Sequence, residues 1–138
     1  MSASDSDIRY LSVADVVALH EVAMTESDQS PTALVREDAL QSAVHHPRNL
    51  GWYAQATLSE QVVEFMIHIA MAHPFVDGNK RTAVRSAEVF LELNGVSIPD
   101  HEAYRRFADL LVGWIAAATE QRPAVHDELV ALVDSWVR

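Results

Sequence analysis

One short segment of the sequence concentrates side chains that could act on a phosphorylated substrate. Residues 73–81 read His-Pro-Phe-Val-Asp-Gly-Asn-Lys-Arg, and they lie between two strongly helical stretches. From residue 73 to residue 85, Lys80, Arg81 and Arg85 oppose the single carboxylate of Asp77, which gives a local charge of +2 in a chain of net charge -10. Lys80 is also the only lysine of the chain. This local reversal of charge indicates an anionic ligand.

The second half of the segment has the features of a phosphate cradle. Gly78 precedes a predicted helix, and the first turn of a helix offers unpaired N–H groups and a partial positive charge. Phosphate groups bind well at such helix starts. Glycine allows a close approach of the ligand to the backbone, while Asn79, Lys80 and Arg81 can direct donors at the same oxygens.

The first half supplies groups for catalysis. Asp77 is a natural Mg²⁺ ligand, because Mg²⁺ prefers one or two carboxylates together with phosphate oxygens and water. His73 is the side chain of the segment best suited to accept a proton near neutral pH. The set predicts phosphoryl or nucleotidyl transfer. The alternative from spacing alone is an ordinary helix start, capped by Asp77, with solvated Lys80 and Arg81.

The elements that must position this segment are helices. Apolar residues recur at three- and four-residue spacing along most of the chain, which predicts an all-α protein. Ser12 with Asp15, and Thr57 with Glu60, have the spacing of capping boxes. The predicted helices run from Ser12 to about Met24, Val35 to His46, Thr57 to about His73, Asn79 to Leu93, Asp100 to about Thr119, and Pro123 to Trp136. Residues 48–56 lack this pattern and are predicted to form a loop or small hairpin.

Length and composition narrow the class of protein. The 138 residues show no linker or repeat, which predicts a single domain over residues 1–138. The absence of cysteine excludes disulfides and thiolate chemistry, and the net charge of -10 argues against binding to nucleic acid or anionic membranes. Met1–Asp7 does not read as a signal peptide, and no apolar run reaches bilayer length. We therefore expect a cytoplasmic protein.

The segment 73–81 resembles the signature of the Fic/Doc superfamily, specifically its death-on-curing (Doc) branch. Residues 11–20, 35–43 and 90–95 are also similar to the family's flanking helices, so the resemblance covers nearly the whole chain. It implies a single compact helical bundle, the Fic/Doc fold, in which the motif loop 73–81 joins two central helices.

The resemblance also implies a short β-hairpin flap that docks the target protein. We place this flap at residues 48–56, where a glycine stands beside two aromatic residues. Its predicted docking residues are Leu50, Gly51, Trp52 and Tyr53.

The resemblance assigns roles to the residues of the motif. His73 would act as general base on a serine or threonine hydroxyl of the target, and Asp77 would coordinate Mg²⁺. The backbone N–H groups of Gly78 and Asn79 would form an anion hole. The predicted catalytic residues are His73, Asp77, Lys80 and Arg81, and the predicted contacts to ATP are Gly78, Asn79, Lys80, Arg81 and Arg85.

Two departures from the AMP-transferring Fic pattern favour the Doc branch. That pattern has glycine where this chain has Lys80, and a second arginine where this chain has Val84. Arg85 lies about 100° further round the helix and does not simply replace it. Similarity to the Doc branch implies that the nucleotide binds in the reversed orientation and that its γ-phosphate is transferred. It also implies elongation factor Tu as the target and inhibition of translation as the result. The alternatives are AMP transfer and a catalytically silent module that binds an antitoxin.

The resemblance further implies regulation by a second protein. The self-inhibitory motif of Fic proteins requires a glutamate followed by glycine or asparagine, and no glutamate in this sequence has such a neighbour. Doc-like toxins are instead held by a separate antitoxin of a toxin-antitoxin system. We expect a flexible antitoxin segment that folds into a groove of this protein.

Overall fold

A computed structural model of the protein describes residues 7–137, and in that part of the chain six α-helices follow one another. An isolated bridge pairs Leu34 with Phe75, and no strand occurs among the described residues. The all-α prediction is confirmed. The helices are α1 (Val13–Glu26), α2 (Glu37–Ala54), α3 (Leu58–Ala72), α4 (Asn79–Leu93), α5 (His101–Ala116) and α6 (Arg122–Asp134), with a 3₁₀ turn at Thr119–Gln121.

The N-terminal prediction is only partly open to comparison with the structure. Of the Met1–Asp7 stretch, for which no signal peptide is predicted, residues 1–6 lie outside the described part. None of the helices within residues 7–137 combines the length and apolar character needed to cross a membrane.

The capping boxes predicted from spacing start two of the helices. The Asp15 N–H donates to Ser12 Oγ at 3.1 Å, and the Ser12 N–H donates to Asp15 Oδ2 at 2.8 Å. Thr57 and Glu60 make the same pair of bonds at the start of α3, at 3.2 and 2.8 Å. Each pair satisfies N–H groups that a helix leaves unbonded at its first turn. Both predicted starts are confirmed.

The core is built around α3, which packs against α2, α4, α5 and α6. Phe65 on α3 meets Phe90 on α4 edge to face, with 5.2 Å between ring centroids. The Phe107 and Trp136 rings make a similar contact at 5.4 Å. Because α3 and α4 are both held in this core, the loop between them is fixed at both ends.

The β-hairpin flap predicted at residues 48–56 is wrong, because α2 continues through this region to Ala54. Pro47 does not end the helix: it is buried within α2, which continues past it despite the backbone hydrogen bond that proline cannot make. Gly51 marks a close approach between helices instead of a turn, since a Cβ there would lie 2.7 Å from Gln61 Nε2. Trp52 and Tyr53 project into solvent from the last turns of the helix.

Candidate active site

The motif loop joins α3 to α4 and turns its reactive side chains outward. His73 ends α3 in the left-handed backbone region, at φ 46° and ψ 55°, and its side chain is exposed. Such a conformation is uncommon outside glycine and persists where the surrounding structure enforces it. Phe75, two residues on, is buried in the core. The loop is therefore anchored at Phe75 and presents His73 and Asp77 to solvent.

The side chain of Asn79 closes the loop. Its amide Nδ2 donates to the Phe75 carbonyl and its Oδ1 accepts from the Phe75 N–H, each at 2.9 Å. The phosphate contact predicted for Asn79 stays a prediction, and its side chain is already engaged in closing the loop. The Phe75 ring stacks on the imidazole of His20, with 3.8 Å between centroids and 1° between planes.

His20 connects the loop to α4 through a buried chain of hydrogen bonds. The Thr32 N–H donates to His20 Nε2 at 3.1 Å, so this nitrogen is an acceptor and the proton of the neutral ring lies on Nδ1. His20 Nδ1 then donates to Thr82 Oγ1 at 2.9 Å, and that hydroxyl donates to the Gly78 carbonyl at 2.8 Å. Burial lowers the pKa of His20, which favours the neutral ring.

Sequence reasoning did not single out His20, Thr32 or Thr82 as parts of the site. Thr82 is 62 residues from His20, and no spacing rule connects positions so far apart in the chain. The weak signal available was a histidine within the apolar stretch of α1, which the structure shows to be a buried, hydrogen-bonded core residue.

An extended segment before α2 lies along the motif loop. The Val35 and Arg36 N–H groups donate to the Pro74 carbonyl at 2.8 and 3.1 Å, and the Val76 N–H donates to the Ala33 carbonyl at 3.3 Å. The Arg36 guanidinium also donates to the His73 carbonyl at 3.2 Å. Residues 33–36, and not 48–56, therefore flank His73.

The start of α4 carries the predicted anion-binding groups. Gly78 has φ 78°, and its N–H donates to Asp77 Oδ1 at 2.8 Å. Lys80 is exposed, and the Arg81 guanidinium donates to Gln29 Oε1 at 3.0 Å. There is no acidic residue in the first turn of α4, so the positive end of the helix is not neutralised from within the helix.

Arg85 lies one turn further along α4, in an acidic environment. Its guanidinium is ion-paired with Glu26 of α1 and with Glu88, the latter at 2.6 Å. Burial lowers the pKa of Arg85, but Tyr104, Glu88 and Glu26 favour the charged guanidinium more strongly, so the pKa is raised overall. The nucleotide contact predicted for Arg85 stays a prediction, and it would compete with two ion pairs.

Two cavities meet at the first turn of α4. One, of about 390 Å³, is lined by His73, Val76 and the continuous run Asp77–Arg81. The other, of about 400 Å³, is lined mainly by apolar side chains of α1, α4 and α5, with Glu26 and Arg85 at its edge. Lys80 and Arg81 border both cavities, whereas the four predicted flap residues border neither. A ligand held by these two cations has room on either side.

Comparison with known proteins agrees with this arrangement. The sequence model of the Fic/DOC family matches residues 10–91, which include the motif loop and more than half of the chain. The chain belongs to the Fic/DOC family. It is also 30% identical over 107 residues to "Protein kinase doc" of Escherichia phage P1, covering 77% of this chain and 82% of that protein. The Fic/DOC match and this similarity confirm the assignment to the Doc branch.

The conformation of Gly78 predicts a large effect of an added side chain in this Fic/DOC loop. We expect Gly78→Ala to lower the free energy of unfolding by about 2–4 kcal/mol, measured by urea denaturation. Part of this loss is the cost of alanine at φ 78°. The remainder arises because the new Cβ would lie 2.3 Å from Met24 Sδ, and Met24 is itself buried.

Gly95 is a matched control for this substitution. It has φ 80°, but no atom lies within 4 Å of a Cβ built there. Gly95→Ala should therefore cost only the backbone strain, roughly 1–2 kcal/mol. Equal losses at Gly78 and Gly95 would show that the contact with Met24 does not constrain the loop.

Proposed function

We propose that the protein is a Doc-like toxin that transfers the γ-phosphate of ATP to a serine or threonine hydroxyl of a translation factor, with elongation factor Tu as the target. The observation that carries the proposal is the convergence of His73, Asp77 and Lys80 on one exposed cavity at the start of α4. A base, a carboxylate and a cation around one opening are the groups that phosphoryl transfer requires.

His73 would accept the proton of the target hydroxyl as its oxygen bonds to the γ-phosphorus. The bond from that phosphorus to the β–γ bridging oxygen breaks, and ADP leaves. The exposed position of His73, at the rim of the cavity and beside residues 33–36, allows a target segment to approach it. We propose that residues 33–36 dock this segment, since their backbone already pairs with the loop.

Asp77 fits a Mg²⁺ ion that accompanies ATP. Its carboxylate borders the same cavity as Lys80 and Arg81, so Asp77 would hold the ion on the side of the cavity where these two cations lie. When bound, Mg²⁺ would neutralise charge on the phosphates. Binding of a phosphate oxygen at the Gly78 N–H requires the Asp77 carboxylate to rotate away, because Asp77 Oδ1 accepts from that N–H in the structure.

AMP transfer is the alternative reaction, and it would need the nucleotide bound in the opposite orientation. This protein lacks a cationic side chain that would bind the nucleotide in that orientation. Val84 stands where the AMP-transferring pattern has its second arginine, and Arg85 is held by Glu26 and Glu88. The exposed Lys80 instead adds a cation at the cavity that contains His73. A catalytically silent module is disfavoured because His73 and Asp77 are both present and accessible.

We further propose an antitoxin as the regulatory partner. The mainly apolar cavity between α1, α4 and α5 has Ala23, Val84 and Leu111 in its walls and charged groups at its edge, which suits an amphipathic segment of another chain. A bound segment there would lie next to Lys80 and Arg81 and would obstruct the nucleotide. We expect the activity to take place in the cytoplasm, where the expected target acts. We expect no role for nucleic-acid binding.

The decisive experiment is the intact mass of elongation factor Tu after incubation with the protein, Mg²⁺ and ATP. We expect a gain of one phosphate, since the cations and the base face the same cavity. A gain of one AMP would establish the alternative nucleotide orientation. No gain, with a preparation shown to bind ATP, would contradict elongation factor Tu as the target.

A further inference from the structure

Three histidines surround one carboxylate where α2, α3 and α6 meet, outside the motif loop. His46 Nε2 lies 3.2 Å and His68 Nε2 lies 3.7 Å from Glu64 Oε1. His126 Nε2 contacts the other oxygen, Glu64 Oε2, at 2.8 Å. All four side chains are partly buried, with His68 the most exposed. The candidate reaction at His73 uses none of them.

The distances match those of a metal-ligand set. One nitrogen of His46, one of His68 and one oxygen of Glu64 all lie within 4.8 Å of one another. A tetrahedral Zn²⁺ with bonds of about 2.0–2.1 Å holds its ligand atoms about 3.3 Å apart, so the ligand atoms would draw together and the two stacked rings would turn to face one ion. Glu64 and His68 are four residues apart on α3 and therefore share one face of that helix.

The two imidazoles present the same ring nitrogen to the carboxylate. The His46 and His68 rings stack with 3.7 Å between centroids and 25° between planes, and both direct Nε2 towards Glu64. Imidazole binds a metal ion through a ring nitrogen that carries no proton, so metal binding would release any proton on these two nitrogens.

His126 holds the carboxylate in position from the side of α6. Its Nε2 donates to Glu64 Oε2 at 2.8 Å, so Oε1 remains directed at His46 and His68.

We propose that His46, Glu64 and His68 bind one divalent transition-metal ion of the Zn²⁺ type, with His126 as a positioning residue for Glu64 and solvent completing the coordination. Two imidazoles with one carboxylate favour Zn²⁺, Co²⁺ or Ni²⁺ over Mg²⁺, which prefers oxygen ligands. The ion would tie α2 to α3, the helix that ends directly before His73. The proposal does not depend on the reaction proposed above.

The test is a titration of chelator-treated protein with Zn²⁺ by calorimetry, followed by thermal unfolding. We expect one equivalent to bind, and Zn²⁺ at a hundred times its dissociation constant to raise the unfolding midpoint by on the order of 10 °C. Co²⁺ should give the intense visible absorption of a low-symmetry site with nitrogen ligands. Mg²⁺ should not compete.

Matched variants locate the ion. His46→Ala and His68→Ala should each abolish the midpoint shift, whereas His45→Ala, at the exposed neighbouring position, should retain it. His126→Ala should weaken binding by about 10–100-fold, as expected for loss of a group that orients a ligand. Asp77→Ala should bind Zn²⁺ unchanged, which separates this site from the motif loop.

Two results would overturn the proposal. One is the absence of Zn²⁺ binding to the wild-type protein, which would leave the cluster as an ion-pair network alone. The other is binding that persists in both His46→Ala and His68→Ala or disappears in Asp77→Ala. Unfolding curves recorded with chelator present show which variants are folded. His68, the most exposed of the four side chains, provides the variant least affected in packing.

Discussion

We expect phosphate transfer to the target to fall by about 10²–10⁴-fold when His73 is replaced, because the hydroxyl proton would then have no acceptor at the rim of the cavity. Two variants should be compared. His73→Ala removes the imidazole, and His73→Asn removes it while keeping a residue type that tolerates φ 46°. The measurement is the initial rate of mass gain of elongation factor Tu under saturating ATP.

The same variants should remain folded. His73 is exposed and its loop is held by Phe75 and Asn79, so we expect the free energy of unfolding to change by less than about 1 kcal/mol. His101→Ala, at the exposed start of α5, is the control for loss of a histidine elsewhere and should transfer at the wild-type rate. A His73→Asn variant that also transfers at the wild-type rate would remove His73 from the role of base.

The elements that could be predicted from the sequence are those with local signals. The capping pairs Ser12–Asp15 and Thr57–Glu60 connect residues three positions apart, so spacing alone shows them. The end of α4 follows from Asn94 and Gly95, the latter at φ 80°. In each case the interactions that decide the boundary lie within one helical turn.

The error at residues 48–56 has the opposite cause. Glycine beside two aromatic residues is typical of a loop when only neighbours are considered. The helix continues past Pro47, which is itself buried, and Gly51 lets α2 approach the Gln61 side chain on α3. That contact connects different helices, and a single sequence contains no direct sign of it.

The candidate site also has a local part, which the sequence predicts, and a part built from distant residues, which it does not predict. The residues from His73 to Arg81 come together because they are neighbours in the chain, and the structure brings them around one cavity. Their support comes from distant positions: His20 and Thr32 precede the loop by more than 40 residues, and His20 reaches across to Thr82. The grouping of these side chains was therefore predictable from the sequence, whereas the scaffold that fixes their geometry was not.

Removal of the Lys80 ammonium group should lower kcat by about 10²–10³-fold, on the order of 2.7–4 kcal/mol, as for the loss of one donor to a developing negative charge. Lys80 is exposed at the first turn of α4 and borders the cavity that contains His73 and Asp77. The measurement is kcat and KM for ATP in Lys80→Ala. A fall in kcat with little change in KM would place the ammonium on the transition state.

The stability of Lys80→Ala should move in the opposite direction. A lysine in the first turn opposes the helix dipole, and no acidic residue of that turn offsets it, so its removal should stabilise the protein by roughly 0.3–1 kcal/mol. Arg106→Ala is the matched control, since it makes the same change of net charge from an exposed position on α5 and should leave kcat unchanged. If Lys80→Ala retained kcat while gaining stability, the lysine would have no role in transfer. If kcat fell while the free energy of unfolding rose, Lys80 would be a cation that serves phosphate transfer and lowers the stability of α4.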